Sequence, residues 1–442
     1  MQVAGRETKV LREDGGRAKR AFALAACYRG CICFCAAAVA FGAGAQESLR
    51  MSLASAEAAR LRREAAARTD YYNLSLGPST WSFTGGLGLQ YNDNLRYTSS
   101  DQQQDLITRP QLDARMRWAV SDINTLNLAV GAGYAIYAAH SEYNRPFVTP
   151  GSELSLDFYV GSLWVNVHDR FSIVENGYLD PTVTGIGDYE RLDNAAGVSV
   201  TWDLNKIVAK FGYDHVSYLQ LSGARGQPDA ELEVFSFSAG YVLKPQMVAG
   251  VEAGGTLLRY VSLADDPLLR LYYSDGTQWS VGAFYDAQLT QYIRGRASVG
   301  YTQFLPDSSF ASAPNGDFQG VYAQLAISHR LNQYLDYTLT GGRLLNFAYL
   351  GGRVDQYFAT VNANWHIFRK TALSSSFTWQ HGIQAGFAKE QYDWLGPGLN
   401  LERRITRKLT MSLGYQYYWR GSDLPERSYA VNIATLRASY KF

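Results

Sequence analysis

The chain closes with Leu436-Arg437-Ala438-Ser439-Tyr440-Lys441-Phe442. Leu436, Ala438, Tyr440 and Phe442 are apolar, while Arg437, Ser439 and Lys441 are polar. This is strict period-2 alternation, the pattern of a strand with one apolar and one wet face. Many antiparallel sheets contain one such strand. What decides the fold is that the pattern recurs back to about Trp81. Trp81, Phe83, Leu87, Leu89 and Tyr91 alternate with Ser82, Thr84, Gly88 and Gln90. Leu112, Ala114, Met116, Trp118 and Val120 alternate with Gln111, Asp113, Arg115 and Arg117.

The connections carry a second signal. Long ones near 92–106, 138–152, 175–191 and 217–229 alternate with tight ones at 121–124, Gly161-Ser162, Asp203-Leu204-Asn205 and Lys244-Pro245-Gln246. Long loops on one side and short turns on the other are the habit of outer-membrane barrels. The expected fold is therefore all-β, a transmembrane antiparallel up-and-down barrel of about 18 strands, an even number that puts both chain ends in the periplasm. The last strand should pair with the first, near Trp81–Tyr91, because a closed barrel has no free edge.

Tryptophans give a third signal. Trp81, Trp118, Trp202 and Trp365 fall on the apolar parity at the short-turn ends of strands, and Trp279, Trp379 and Trp419 at the long-loop ends. Two aromatic girdles at the membrane interfaces are the expected reading. Trp164 and Trp394 have the other parity. Asp169 and Asn432 interrupt the apolar face, and a bulge or an aqueous end is expected at Asp169.

Composition agrees. Of 442 residues, 14% are aromatic, and the net charge of +1 argues against a dedicated nucleic-acid protein. No run after residue 45 is apolar for ~18 residues, so spanning helices are not expected there. Residues 1–45 read as a signal peptide. A basic leader, an apolar stretch from Phe22 to Phe41 and Ala43-Gly44-Ala45 precede Gln46. A membrane anchor is the alternative. All four cysteines lie within this segment, which leaves no metal site and no cofactor to expect. Residues 46–79 read as a short periplasmic helix, Glu47 to Arg68, followed by a linker through Gly77-Pro78, and 80–442 as the barrel.

By parity the lumen should receive Arg109, Asp113, Arg115, Arg117, His168, Arg170, Glu231, Glu233, Arg294 and Arg296 among others. Such a wall can conduct solutes, or its charges can pair and stiffen it. Arg109-Arg115-Arg117 and Arg294-Arg296 are the best candidates for a selective row. Barrel lipases and deacylases use Ser/His nucleophile pairs. Asp214-His215 and Ser328-His329 are adjacent, so each pair points to opposite faces and forms no dyad. No Gly-x-Ser-x-Gly, His-Glu-x-x-His or phosphate loop occurs, and no enzyme is expected.

Tyr91-Asn92-Asp93-Asn94-Leu95, then Asp105-Leu106-Ile107 and Pro110, with Tyr213-Asp214-His215 and the closing Tyr440-Lys441-Phe442, resemble the putative β-barrel porin family 2. The resemblance spans roughly 80–442. It implies a channel in the bacterial outer membrane for small solutes or an exported polysaccharide, since the family includes barrels encoded with exopolysaccharide export systems. It also implies contact with outer-membrane lipid and lipopolysaccharide, and with polysaccharide-export components. Resemblance to outer-membrane proteins at large makes Tyr440 and Phe442 the signal read by the barrel-assembly machinery. A non-conducting surface or anchoring barrel is the alternative.

Overall fold

A computed structural model describes residues 72–175, 177–187, 189–221, 228–261, 273–307, 318–348, 353–385 and 389–442. The expected signal peptide and the expected Glu47–Arg68 helix lie outside these residues.

Two short strands accompany a closed barrel. The first is β1 (Leu74–Leu76). The barrel wall begins with β2 (Ser79–Asn92), β3 (Asp105–Ala119) and β4 (Thr125–Tyr137). After the short β5 (Arg145–Val148) come β6 (Ser152–Val160), β7 (Leu163–Val174), β8 (Arg191–Asp203), β9 (Ile207–Gln220) and β10 (Ala230–Lys244). The wall continues through β11 (Met247–Tyr260), β12 (Gly276–Gln288), β13 (Ile293–Pro306), β14 (Phe318–Arg330) and β15 (Leu335–Phe347). It ends with β16 (Arg353–Phe368), β17 (Thr371–Ala385), β18 (Glu390–Arg404), β19 (Leu409–Ser422) and β20 (Tyr429–Lys441). Without β1 and β5, eighteen antiparallel strands remain, each paired with its neighbours in sequence order, and β20 returns to β2. Every wall strand thus has a partner on both sides, the condition for backbone to cross a bilayer.

The closure has the expected partners. Lys441 faces Thr84 and Ile433 faces Asn92. β2 extends past the end of β20, and β1 covers the remainder, with Leu74 opposite Trp81 and Leu76 opposite Ser79. The expected linker is therefore partly a hairpin, turned at Gly77-Pro78 with Gly77 at φ +57°. Asn73 ties both lines together. Its side-chain oxygen accepts from Phe83 N at 3.0 Å and its amide donates to the Phe442 carbonyl at 2.8 Å.

Part of the expected 138–152 loop is also strand. β5 pairs with Ala132–Ala135 of β4, while β6 pairs with Thr125–Ala129. Between them Thr149-Pro150-Gly151 leaves the ladder, with Gly151 at φ +95°. β5 and β6 are one wall strand broken by a wide bulge.

The ladders show no break at Asp169, which removes the bulge from the two readings expected there, a bulge or an aqueous end. The carboxylate stays on the outer face and accepts from Asn194 Nδ2 of β8 at 2.6 Å. One pair of strands does separate. β14 and β15 are paired only from Arg330–Asp336 to Ala323–Arg343, so Phe318–Tyr322 and Leu344–Phe347 have no mutual ladder.

Candidate functional site: the lumen and its folded-in loop

Alternation sorts the wall into two faces. Leu112, Val167, Phe211, Phe237, Val251, Val299, Leu325 and Leu413 are exposed outside, while Asn166, His168, Asp214, Ser238, Thr302 and Asn362 are buried inside. The inner face is polar over most of its height. His168 Nε2 lies 2.7 Å from Asp214 Oδ1, and its Nδ1 lies 2.9 Å from Asn166 Oδ1. Asn166 in turn donates to Asp157 at 2.7 Å. Desolvated side chains of this kind are held because each finds a partner on a neighbouring strand.

Toward the long-loop end part of the lumen is taken up by chain. The connection after β7 enters it, with a 3₁₀ turn at Gly177–Leu179. Val183 is 0% exposed, and Tyr178 and Tyr189 are buried. Tyr178 packs against Tyr97 and Tyr418, with ring centroids 5.9 and 4.9 Å apart. Burial pushes the phenols of the loop residues Tyr97 and Tyr178 above their ordinary range, so both stay neutral donors.

Three arginines hold this loop. Arg420 of β19 donates to the Pro181 carbonyl at 2.6 Å. Arg427 donates to the Thr182 carbonyl at 3.0 Å and to Thr184 Oγ1 at 3.1 Å. Arg145 of β5 donates to the Tyr189 carbonyl at 3.2 Å. Glu390 of β18 neutralises the first two, 2.7 Å from Arg420 and 2.7 Å from Arg427. Sequence reading did not single out Glu390, Arg420 or Arg427. Arg427 lies in a 3₁₀ turn, Pro425–Arg427, with no strand parity to read, and the convergence of all three on a loop more than 200 residues earlier was not legible.

Each sequence-stated lumen residue can now be placed. Arg109 is ion-paired with Glu175 at the start of the loop and lies over the Phe147 ring at 4.4 Å. Asp113 is held by Gln111 at 2.6 Å and has Arg437 at 3.9 Å. Arg170 is 3.5 Å from Glu153. Arg294 makes a two-pronged bond to Asp286 at 3.0 and 2.9 Å. Arg296 lies 3.5 Å from Glu252 and over Phe284. Arg294 and Arg296 line a recess of about 450 Å³ near the short-turn rim. Arg115 and Arg117 are exposed, and neither has an ion-pair partner among the described residues. They stand opposite Ser82 and Thr80 at the short-turn end.

Glu231 and Glu233 are not in the lumen. Glu233 is directly across from His215, and Phe235 and Phe237, on the same parity, are exposed outside. Near the rim of a barrel the outer face carries charge as readily as the inner one, so polarity alone misassigns the face.

The seven girdle tryptophans lie on the outward parity. Trp118, Trp202 and Trp365 are opposite Ser79, Leu163 and Leu335 at short-turn ends. Trp202 Nε1 donates to Ser162 Oγ at 3.0 Å and Trp379 Nε1 to Asp393 at 3.3 Å. Trp81 stacks on Phe83, and Trp279 meets Tyr301 at a tilt of 45°. Trp419 is exposed opposite Ala430, and Trp394 is buried inside.

The quoted loop motifs have structural work. Asn94 donates to the Thr98 and Ala430 carbonyls, and Asp93 accepts from Asn432 N and Nδ2 at 2.7 and 2.6 Å. That contact, with Tyr415 donating at 2.6 Å, satisfies the Asn432 that interrupted the last strand's apolar face. Asp105 accepts from the backbone of Ala138, Ala139 and His140.

The family model described as "Putative beta-barrel porin 2" matches residues 85–442. No curated protein matches the chain. Among solved structures, OpdL of Pseudomonas aeruginosa is similar at 10% identity and TM-score 0.47, covering 83% of this chain and 99% of that one. A BenF-like porin from Pseudomonas fluorescens Pf-5 is similar at 8% identity and TM-score 0.48, covering 83% and 100%. Acinetobacter baumannii OccAB3 is similar at 10% identity and TM-score 0.46, covering 83% and 100%.

Proposed function

This chain belongs to the putative beta-barrel porin 2 family, and from that premise we propose an outer-membrane channel for small solutes. The carrying observation is a closed wall with a polar inner face, narrowed by a loop that arginines fix in place. A lumen crossed by a clamped loop suits small solutes better than a polymer chain. The long loops face the exterior and both chain ends the periplasm, a reading supported by the turn lengths. The outward tryptophans then lie at the two lipid interfaces, in contact with lipid and lipopolysaccharide. Arg115 and Arg117, unpaired near the periplasmic mouth, are the residues that select among ions.

Planar-bilayer recording tests this reading. Discrete conductance steps are expected. Arg115→Glu with Arg117→Glu should move the reversal potential toward cations, with a shift that shrinks in high salt as charges are screened. Unchanged selectivity at intact conductance would remove these arginines from the permeation path. A barrel that never conducts would favour the anchoring reading, for which the buried apolar residues inside the lumen are the supporting observation.

A further inference from the structure

On the outside of the barrel, near the long-loop rim, three side chains stand in the order acid, imidazole, hydroxyl. His215 and Ser217 are two residues apart on β9, so they share a face. Glu233 on β10 is directly across from His215. His215 Nδ1 is 2.9 Å from Glu233 Oε1, and His215 Nε2 is 3.3 Å from Ser217 Oγ. The second carboxylate oxygen of Glu233 accepts from Tyr213 OH at 2.7 Å, which fixes the carboxylate's rotation. The two ring nitrogens therefore have different neighbours, as a general base requires: the acid holds one N–H and leaves the other nitrogen to take the hydroxyl proton. His215 is 38% exposed in its side chain, so the group is accessible from outside.

The surroundings define the substrate. Toward mid-wall lie exposed Phe211 and Phe235, and toward the rim exposed Leu219 and Leu221. A molecule reaching Ser217 from this side must carry apolar chains. On the β8 side, Asn194 is directly across from Ser217, with Asp169 beyond it. On the β10 side stands Glu231, whose charge would repel an oxyanion. The nearest side-chain amide is Asn194, whose Nδ2 already donates to Asp169 at 2.6 Å and to the Arg170 carbonyl at 3.3 Å, so an oxyanion on this side must displace one of those bonds.

We propose that Ser217, His215 and Glu233 form an esterase site that cleaves long-chain acyl esters of lipids in the leaflet at the long-loop rim. Ser217 Oγ attacks the ester carbonyl as His215 Nε2 takes its proton. The acyl C–O bond breaks, and His215 returns the proton to the leaving alkoxide. Water, deprotonated by His215, then attacks the acyl-serine and releases the fatty acid, restoring the Ser217 proton. Ser217 and His215 are the catalytic residues, and Glu233 is a positioning residue.

The test uses the full chain, folded in micelles and verified by heat-modifiable migration. A long-chain alkyl fluorophosphonate should label Ser217, located by peptide mass spectrometry. Fatty acid release is followed from phosphatidylethanolamine vesicles and, separately, from lipopolysaccharide; release from one alone assigns the lipid. Ser217→Ala and His215→Asn should each lower release about 100-fold or more. Glu233→Gln should lower it about 10-fold or more, with partial recovery in Glu233→Asp, which a merely structural role would not show. Conductance should be unchanged in all four variants, so this site and the channel stand or fall separately. A folded wild-type barrel that is neither labelled nor active on either lipid overturns the proposal, as does undiminished release from Ser217→Ala.

Discussion

Glu390 and Arg420 are both fully buried, and Arg427 nearly so, where the loop after β7 meets β18 and β19. Two guanidinium groups on one carboxylate, with Ser422 also donating to it, make a compact charged knot. Removing one partner from a buried pair strands the other charge at a cost of about 3–5 kcal/mol, while replacing both by apolar groups is far milder. Glu390→Gln should therefore lower the midpoint of heat-induced unfolding clearly, and the triple change Glu390→Met, Arg420→Met and Arg427→Met, which leaves no buried charge stranded, should lower it less. A single variant as stable as wild type would show that water reaches the knot. At this scale the sequence was least informative. His215, Ser217 and Glu233 are all visible in it, yet residues adjacent on a strand, such as Asp214 and His215, face opposite ways and make no dyad. The working spacing is i to i+2 plus a cross-strand residue, which needs the register.

The weakest seam between elements lies between β14 and β15. The ladders on their outer sides run to Phe304–Phe318 and Phe347–Arg353, but their own stops at Ala323–Arg343. Leu344 and Leu345 are adjacent in sequence and both buried, which a flat two-faced wall does not allow. Leu345 packs within 3.3 Å of where a side chain at Gly320 would begin, and Phe347 meets the Phe304 ring at 4.9 Å. At the rim of β15 the ladder to β14 gives way to apolar contact. By hydrogen exchange, amides of 318–322 and 344–347 that face the gap should exchange well ahead of those between β16 and β17. Equal protection would mean the ladder closes in the membrane. The alternation rule placed the strand through about residue 343 and lost it where Leu344-Leu345-Asn346-Phe347 breaks the period. Strand count, turn lengths and closure were legible because each repeats around the barrel; the split, the β5–β6 bulge and the folded loop occur once each, and a periodic signal cannot report them.

At the scale of the whole molecule, closure is secured at the short-turn rim by more than strand pairing. Phe442 N donates to the Phe83 carbonyl at 3.2 Å, the Phe442 ring meets Tyr440 edge-on at 5.7 Å, and Asn73 takes the terminal carbonyl. Deleting Phe442, or changing Asn73 to Ala, should lower the yield and thermal midpoint of the heat-modifiable form, the deletion more strongly because it also removes the terminal aromatic. Export and synthesis should be unaffected. Wild-type yield in the deletion would mean that closure relies on the ladder of Thr84–Asn92 with Ile433–Lys441 alone.

Asn73 and Phe442 touch although 369 residues separate them. Chain entropy charges only logarithmically for so long a span, so the join is thermodynamically cheap. Its consequence is one of timing: the clasp forms only when both ends of the chain have reached the assembling barrel. Until β20 docks, β2 offers an open edge to any other strand in reach. β1, three residues long and folded back on that edge, covers Ser79–Trp81, the stretch that β20 does not reach. The same small hairpin thus finishes the cylinder by leaving the first strand no bare backbone where the last one stops short.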